Sequence, residues 1–330
     1  MDAIFTSTMP PNLRISDMHT DMATPFTDRM MPEYTKVPDR HPTIGEDGSL
    51  SVIQRASQLG ITKDDIVSVI HKQGKQSLVE ISEDDYFQLL GQKAKDNYPL
   101  LVSNIYHRWE AVWGKTTDQN KPEMFAYIRD IESRYKAWGF NLCLKASDFK
   151  DELPNMILSL EGGDMVTEVE DIDVIYALGV RSMVIQYYNI NRLVNELDGK
   201  GKGLNELGRK VLSRMFELGI AVDLAHATPE TREDIFTMAE QQGKTHLVAY
   251  THGARAQDYE HEPRFKGDGQ RRGLRDDEVK RLLTGGGLMA LMVARPAVQS
   301  VEHFMTVLEE IWAKGYTFMQ DGKEVRARLA

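Results

Sequence analysis

Residues 220–226, Ile-Ala-Val-Asp-Leu-Ala-His, decide how the rest of the chain is read. Apolar residues surround one aspartate and run into a terminal histidine. Gly219, just ahead, can close a preceding helix, and Thr228-Pro229 can open the next, because proline suits a first helical position. The segment therefore predicts a buried strand ending in His226. In an α/β barrel the C-terminal ends of the strands face the active site, so His226 stands where a catalytic or metal-binding group belongs.

The same alternation extends outward on both sides. Residues 204–218 place Leu204, Leu207, Val211, Leu212, Met215 and Leu218 on one side of a helix, the pattern of a helix packed on a sheet. Upstream, strand 156–160 ends in Glu161-Gly162-Gly163, and strand 180–187 runs into Tyr187-Tyr188-Asn189. Downstream, strand 246–251 leads to Thr251-His252-Gly253, and strand 287–293 follows the glycines Gly285, Gly286 and Gly287. Repeated strand–helix units imply parallel strands with right-handed crossovers.

Nearer the start, residues 12–18 predict a strand that runs into His19-Thr20-Asp21. Residues two apart on a strand share a side, so the His19 imidazole and the Asp21 carboxylate converge there. Residues 100–106, Leu-Leu-Val-Ser-Asn-Ile-Tyr, predict a second strand. Between about 22 and 100 the chain changes character. Pro25, Pro32, Pro38, Pro42, Gly45 and Gly48 punctuate a polar loop, and Thr62 and Ser82 then read as caps of short helices. A longer helix is expected over 122–138, with Pro122 first and Gly139 as its stop, then a minor strand over 141–144.

With 330 residues, 41% of them hydrophobic, the chain can bury a large core as two domains or as one barrel, and size does not decide between them. No apolar run is long enough to span a bilayer, and Met1-Asp2-Ala3-Ile4-Phe5 lacks the basic start of a signal peptide. The expectation is a cytoplasmic protein with no membrane partner. A net charge of -10 argues against nucleic acid, whose phosphates attract basic surfaces. Cys143 is the single cysteine, so a metal here would need His, Asp and Glu ligands.

Strand ends thus carry His19 with Asp21, then Glu161, His226 and His252. Neutral imidazoles and carboxylates are ligands that zinc accepts, and a carboxylate has two oxygens with which to bridge a pair of ions. Such a pair can activate a hydroxide at neutral pH and polarise the carbonyl that it attacks. The fold expected is α/β, a (β/α)8 TIM barrel. It spans 1–330 as one metal-dependent hydrolase domain, with a divergent insertion at about 22–100.

At these residues the sequence resembles the membrane (renal) dipeptidase family, the M19 metallopeptidases. The matching stretches are Asp17-Met18-His19-Thr20-Asp21 for the DxHxD start, Glu161-Gly162-Gly163 for EGG, and Leu178-Gly179-Val180-Arg181. Further on come Gly203-Leu204-Asn205-Glu206-Leu207-Gly208, Asp223-Leu224-Ala225-His226, Thr251-His252-Gly253-Ala254-Arg255, and the run from Arg271 to Asp277. The resemblance covers most of the chain after Pro122 and a short piece at the start, while residues 22–121 match poorly.

The resemblance implies two zinc ions, one held by His19 and Asp21, the other by His226 and His252, with Glu161 bridging them beside the attacking hydroxide. It implies that Arg272 binds the C-terminal carboxylate of a dipeptide, a role that suits a bidentate guanidinium. Where the family often has a substrate-contacting histidine, this chain has tyrosines. Tyr188 is the counterpart if Asn189 matches the asparagine that follows, and Tyr187 is the counterpart if the alignment slips by one. The family closes its barrel with a strand reading roughly GxGSDFDG, and Met319, within Gly-Tyr-Thr-Phe-Met-Gln-Asp-Gly at 315–322, stands where its first aspartate would be.

The function expected is zinc-dependent hydrolysis of dipeptides or similar small N-acyl amino acids. The rivals are a metal-binding homologue with weak or no peptidase activity and a hydrolase of a cyclic amide or lactone. A homo-oligomer is open. A helix over 301–314 delivers the chain to 316–319, which is expected to pair between the first and seventh strands as an atypical eighth, unless another chain fills that gap.

Overall fold

The computed structural model describes residues 17–20, 100–106, 117–187, 192–194, 203–260, 271, 273–292, 300–327 and 329. The chain divides into two compact units. One comprises Met1–Leu13, Lys115–Phe125 and Leu158–Ala330, the other Arg14–Gly114 and Ala126–Ile157. Most of the expected insertion at 22–100 lies outside the described residues, as do Asp21, Tyr188 and Arg272.

In the larger unit the strand ends read from the sequence are present. Here β4 (Asn155–Glu161, entering this unit at Leu158), β5 (Val180–Val184), β6 (Ala221–Asp223), β7 (Val248–Gly253) and β8 (Leu288–Leu291) lie side by side in sequence order. Each neighbouring pair is parallel. Strands flanked by helices are buried on both faces, which is why they are apolar without strict alternation. Leu158, Leu160, Val180, Met183, Val222 and Met289 are all nearly or fully buried. Parallel strands joined by helices also place their C-terminal ends together, and that edge carries Glu161 and His252.

The helices between the strands begin and end where local chemistry directs. In helix Glu206–Leu218 the Asn205 side chain accepts a hydrogen bond from the Gly208 amide at 2.9 Å, and Gly219 takes a left-handed φ of 78° at the end. Its inward side is Val211, Leu212, Met215 and Phe216. Helix Pro229–Gln241 opens on Pro229 after a Thr228 cap, as expected.

In the other unit β1 (Asp17–Thr20) and β2 (Leu100–Tyr106) pair in parallel, and β3 (Asn141–Leu142) pairs in parallel with the start of β4. The β1 strand holds the backbone of His19, whose side chain is outside the described residues. Tyr135 is fully buried, its hydroxyl 2.6 Å from that of Ser103, with Trp138 and Phe140 edge-on to its ring. The helix expected to begin at Pro122 begins earlier and spans Thr117–Ala137 with Pro122 inside it, its residues up to Phe125 belonging to the larger unit and those from Ala126 to this one. Proline forfeits one amide donor in a helix, and the buried side formed by Met124, Ile128, Ile131 and Tyr135 supplies the packing that outweighs this loss.

The expected eighth strand departs from the sequence reading. Helix Val301–Ala313 is capped by Ser300, and Gly315 follows with a φ of 65°. The next residues form β9 (Thr317–Gln320), which pairs antiparallel with β10 (Lys323–Arg326). They do not pair between the first and seventh strands. Asp321 and Gly322, with φ of 50° and 74°, make the two-residue turn, and Asp-Gly is among the strongest short-range hairpin signals. Met319 is 67% exposed. Beyond the hairpin Leu329 forms an isolated parallel bridge to Met289 on the far side of β8. The fold is therefore α/β with a parallel sheet resembling an incomplete barrel. No helix among the described residues is long and apolar enough to cross a membrane.

A buried ion pair ties together the loops that follow these strands. The fully buried Arg232 donates from Nε and Nη2 to the Glu278 carboxylate at 2.8 and 3.2 Å. It also donates to the carbonyls of Ala227 at 2.8 Å and Gly273 at 3.2 Å. Arg232→Met would leave the buried Glu278 carboxylate with only the more distant Arg275 guanidinium, 3.7 Å away, as counter-charge. It should cost about 3–5 kcal/mol in a urea titration, with Arg232→Met/Glu278→Leu recovering most of the loss. A cost below roughly 1 kcal/mol would show that the pair does not hold these loops.

Candidate metal centre

Three donor atoms from three strand ends converge in the larger unit. His226 Nε2 lies 3.0 Å from Glu161 Oε1 and 2.8 Å from His252 Nε2, and His252 Nε2 lies 3.4 Å from the same carboxylate oxygen. All three atoms fall within 4.8 Å of one another. The Glu161 side chain is 7% exposed, that of His252 10% and that of His226 15%. Two imidazole nitrogens and one carboxylate oxygen are the ligand chemistry of zinc, and three protein ligands leave coordination positions for water and substrate. The donor set thus fits the metal that the resemblance implies.

Each donor is aimed by its own local device. After Glu161 the chain turns at Gly162, with φ of 122°, a region open in practice to glycine alone. A Cβ at Gly162 would lie 2.6 Å from Asp164 Oδ2 and 3.2 Å from Tyr187 Cβ. His226 itself has a φ of 63°, uncommon for a residue with a side chain. The next turn is held by Gln186, only 3% exposed, whose Oε1 accepts the Thr228 amide at 3.0 Å. The Tyr187 ring lies against His226, centroids 4.4 Å apart. Of the two tyrosines read as candidates, Tyr187 is the one seen at this cluster, and Tyr188 is outside the described residues.

His252 is shaped by an irregularity at the end of β7, where the register with β8 shifts between Tyr250 and Gly253. Irregularities of this kind re-aim side chains beside active sites. Here Thr251 Oγ1 comes within 3.0 Å of His252 Nδ1. Burial pushes the Tyr250 phenol well above its ordinary range, so it stays a neutral donor, 3.3 Å from the Ala254 carbonyl. The sequence reading missed Thr251 and Gln186 as supports of the site. The signal available for Thr251 was a hydroxyl next to a candidate ligand, on a strand neighbouring one with an aspartate amid apolar residues.

Of the expected ligands, the structure brings together Glu161, His226 and His252. Those three on the parallel sheet define a candidate metal-binding site in an α/β fold. The model of the membrane dipeptidase family, peptidase family M19, matches residues 127–315, more than half of the chain, and the chain belongs to that family. No curated protein matches it. Among solved structures it is similar to dipeptidase AC, a metallopeptidase of family M19, with 17% identity and a TM-score of 0.52 over 66% of this chain and 70% of that one. It is similar to a metallopeptidase from Rhodobacter sphaeroides liganded with a phosphinate mimic of the dipeptide L-Ala-D-Ala, at 16% identity and a TM-score of 0.53, covering 69% and 75%. A third is the probable dipeptidase PvdM from Pseudomonas aeruginosa, at 14% identity and a TM-score of 0.51, covering 73% and 63%. At these identities the likeness is one of fold.

If Glu161, His226 and His252 are the ligands, replacing any one by alanine should weaken zinc binding in calorimetry. The loss should be at least the roughly 10–100-fold typical of changes to groups behind the ligands. Unchanged affinity in any of the three variants would remove that residue from the site.

Proposed function

We propose that this protein hydrolyses dipeptides or similar small N-acyl amino acids with two zinc ions. The observation that carries the reading is the convergence of Glu161 Oε1, His226 Nε2 and His252 Nε2 in a chain of the M19 family. The dipeptide mimic bound by the Rhodobacter sphaeroides metallopeptidase of similar fold supports the substrate class. His226 and His252 would hold one ion, His19 and Asp21 the other, and Glu161 both. Zinc, when bound, supplies Lewis acidity that activates water near neutral pH and polarises the scissile carbonyl.

The chain's own residues then supply position and selectivity. Glu161, as a carboxylate among imidazoles, holds negative charge beside the attacking water. Arg272 pairs with the substrate's C-terminal carboxylate and sets the distance from that end to the reacting carbonyl. Tyr188, or its neighbour Tyr187, faces the carbonyl oxygen as a neutral hydroxyl donor. A phenol gives up its proton less readily than an imidazolium at neutral pH, so the oxyanion is stabilised by hydrogen bonding rather than proton transfer.

The direct assay is a panel of dipeptides with zinc and with chelator. Turnover that needs zinc is expected, and a fully metallated protein that cleaves none of the panel would defeat the proposal. Arg272→Ala should cost about 1.5–3 kcal/mol of substrate binding, roughly a 10- to 150-fold rise in KM, with metal content unchanged. Equal effects on dipeptides and on their C-terminal amides would count against a carboxylate partner.

One observation favours a second reading, a metal-binding homologue with weak peptidase activity. The segment at 315–322 is spent on a hairpin, and Met319 is exposed there instead of standing in a closing strand. Met319→Asp should therefore leave dipeptide turnover within about twofold of the parent, because a single exposed hairpin residue rarely affects more than its own surroundings. A tenfold gain would mean that position 319 does reach the reaction centre.

A further inference from the structure

Asp223 and Thr251 take no part in the reaction proposed above, yet they form a buried polar chain leading to the site. Asp223 is fully buried at the end of β6. Its Oδ1 accepts the amides of Ala225 at 3.0 Å and Thr251 at 3.1 Å, and its Oδ2 accepts the Thr251 hydroxyl. The same Thr251 oxygen lies 3.0 Å from His252 Nδ1.

A hydroxyl has one proton to give, and a carboxylate can only accept. With that proton committed to Asp223, Thr251 Oγ1 presents only lone pairs to the imidazole. Nδ1 must therefore carry a hydrogen and donate it. In a neutral imidazole the other nitrogen is then bare, and that nitrogen, Nε2, is the atom aimed at His226 and Glu161. The direction of every bond in the chain is fixed by the carboxylate at its buried end.

We infer that Asp223 and Thr251 are positioning residues that hold His252 in its Nδ1–H tautomer, so that Nε2 is a preformed donor for a divalent transition metal. The tautomer follows from the Asp223–Thr251 bonds on the Nδ1 side, set against the Glu161 carboxylate 3.4 Å from Nε2. Its consequence for metal affinity rests on the proposed metal site.

The experiment reads the two separately. In the metal-free protein, at a pH where the imidazole is neutral, long-range nitrogen–proton NMR correlation distinguishes the two tautomers of His252. The parent protein should show Nδ1–H, and an Nε2–H signal there would overturn the inference without any substitution being made. Asp223→Asn keeps an oxygen for the two backbone amides and turns an NH2 group toward Thr251. The Thr251 hydroxyl must then swing to donate to Nδ1, and His252 should invert to Nε2–H. Thr251→Val should relax the preference, and Thr251→Ser should restore it. Zinc affinity by competition with a fluorescent chelator should fall about 10–100-fold in the first two variants and recover in the third. A tautomer and a zinc affinity that stay unchanged in both Asp223→Asn and Thr251→Val would also overturn the inference. A parent that shows Nδ1–H but binds no zinc would count against the metal site while leaving the relay standing.

Discussion

Three electron-rich atoms held within 4.8 Å of one another inside a protein are an electrostatic burden, and the arrangement around them follows from that constraint. Lone pairs of Glu161, His226 and His252 face each other where little water can solvate them, and only a shared proton or a cation relieves the repulsion. A folded chain keeps such a group together only if each donor is held independently of the others. That is what the parallel sheet provides, because neighbouring strands with helical crossovers end at the same edge however their sequences differ.

The supports behind the donors are mostly buried polar groups, each satisfied. Asp223 accepts three hydrogen bonds, Gln186 fixes the turn after His226, and Arg232 reaches the carbonyls of Ala227 and Gly273 while paired with Glu278. Polar groups in a low-dielectric interior are costly unless every partner is in place, and when complete they allow few alternative arrangements. The strained backbone at His226 and the glycine-only turn at Gly162 are tolerated because these contacts over-determine the loops that carry them.

At the C-terminal side a local preference prevails over barrel closure. Asp321-Gly322 supplies a turn whose two positive φ values match the twist of antiparallel strands, so residues 317–326 fold back on themselves. Leu329 then meets Met289 at the edge of β8 through a single bridge. An edge partly occupied in this way, with a short charged hairpin beside it in sequence, leaves less unpaired backbone available to another strand.

Much was legible in the sequence because strand ends are written locally. An apolar run, a flanking glycine or capped helix, and a polar residue at its end identify Glu161, His226 and His252 as candidates without any knowledge of their neighbours. Helices 206–218 and 301–313, and the start of helix 229–241, were equally plain, since caps and inward-facing residues lie within a few turns of each other. Pro122 misled as a helix start because its lost hydrogen bond is offset by burial of residues a turn or more away. The 316–319 segment misled because its family counterpart is a closing strand, whereas the Asp-Gly pair just beyond it sets a different partner. What only the tertiary structure decided is which atoms meet. No spacing along the chain reveals that the Thr251 hydroxyl stands between Asp223 and His252, or that two Nε2 atoms lie 2.8 Å apart. Those contacts depend on the register between separate strands and on an irregularity of a single residue at the end of β7, and local sequence encodes neither.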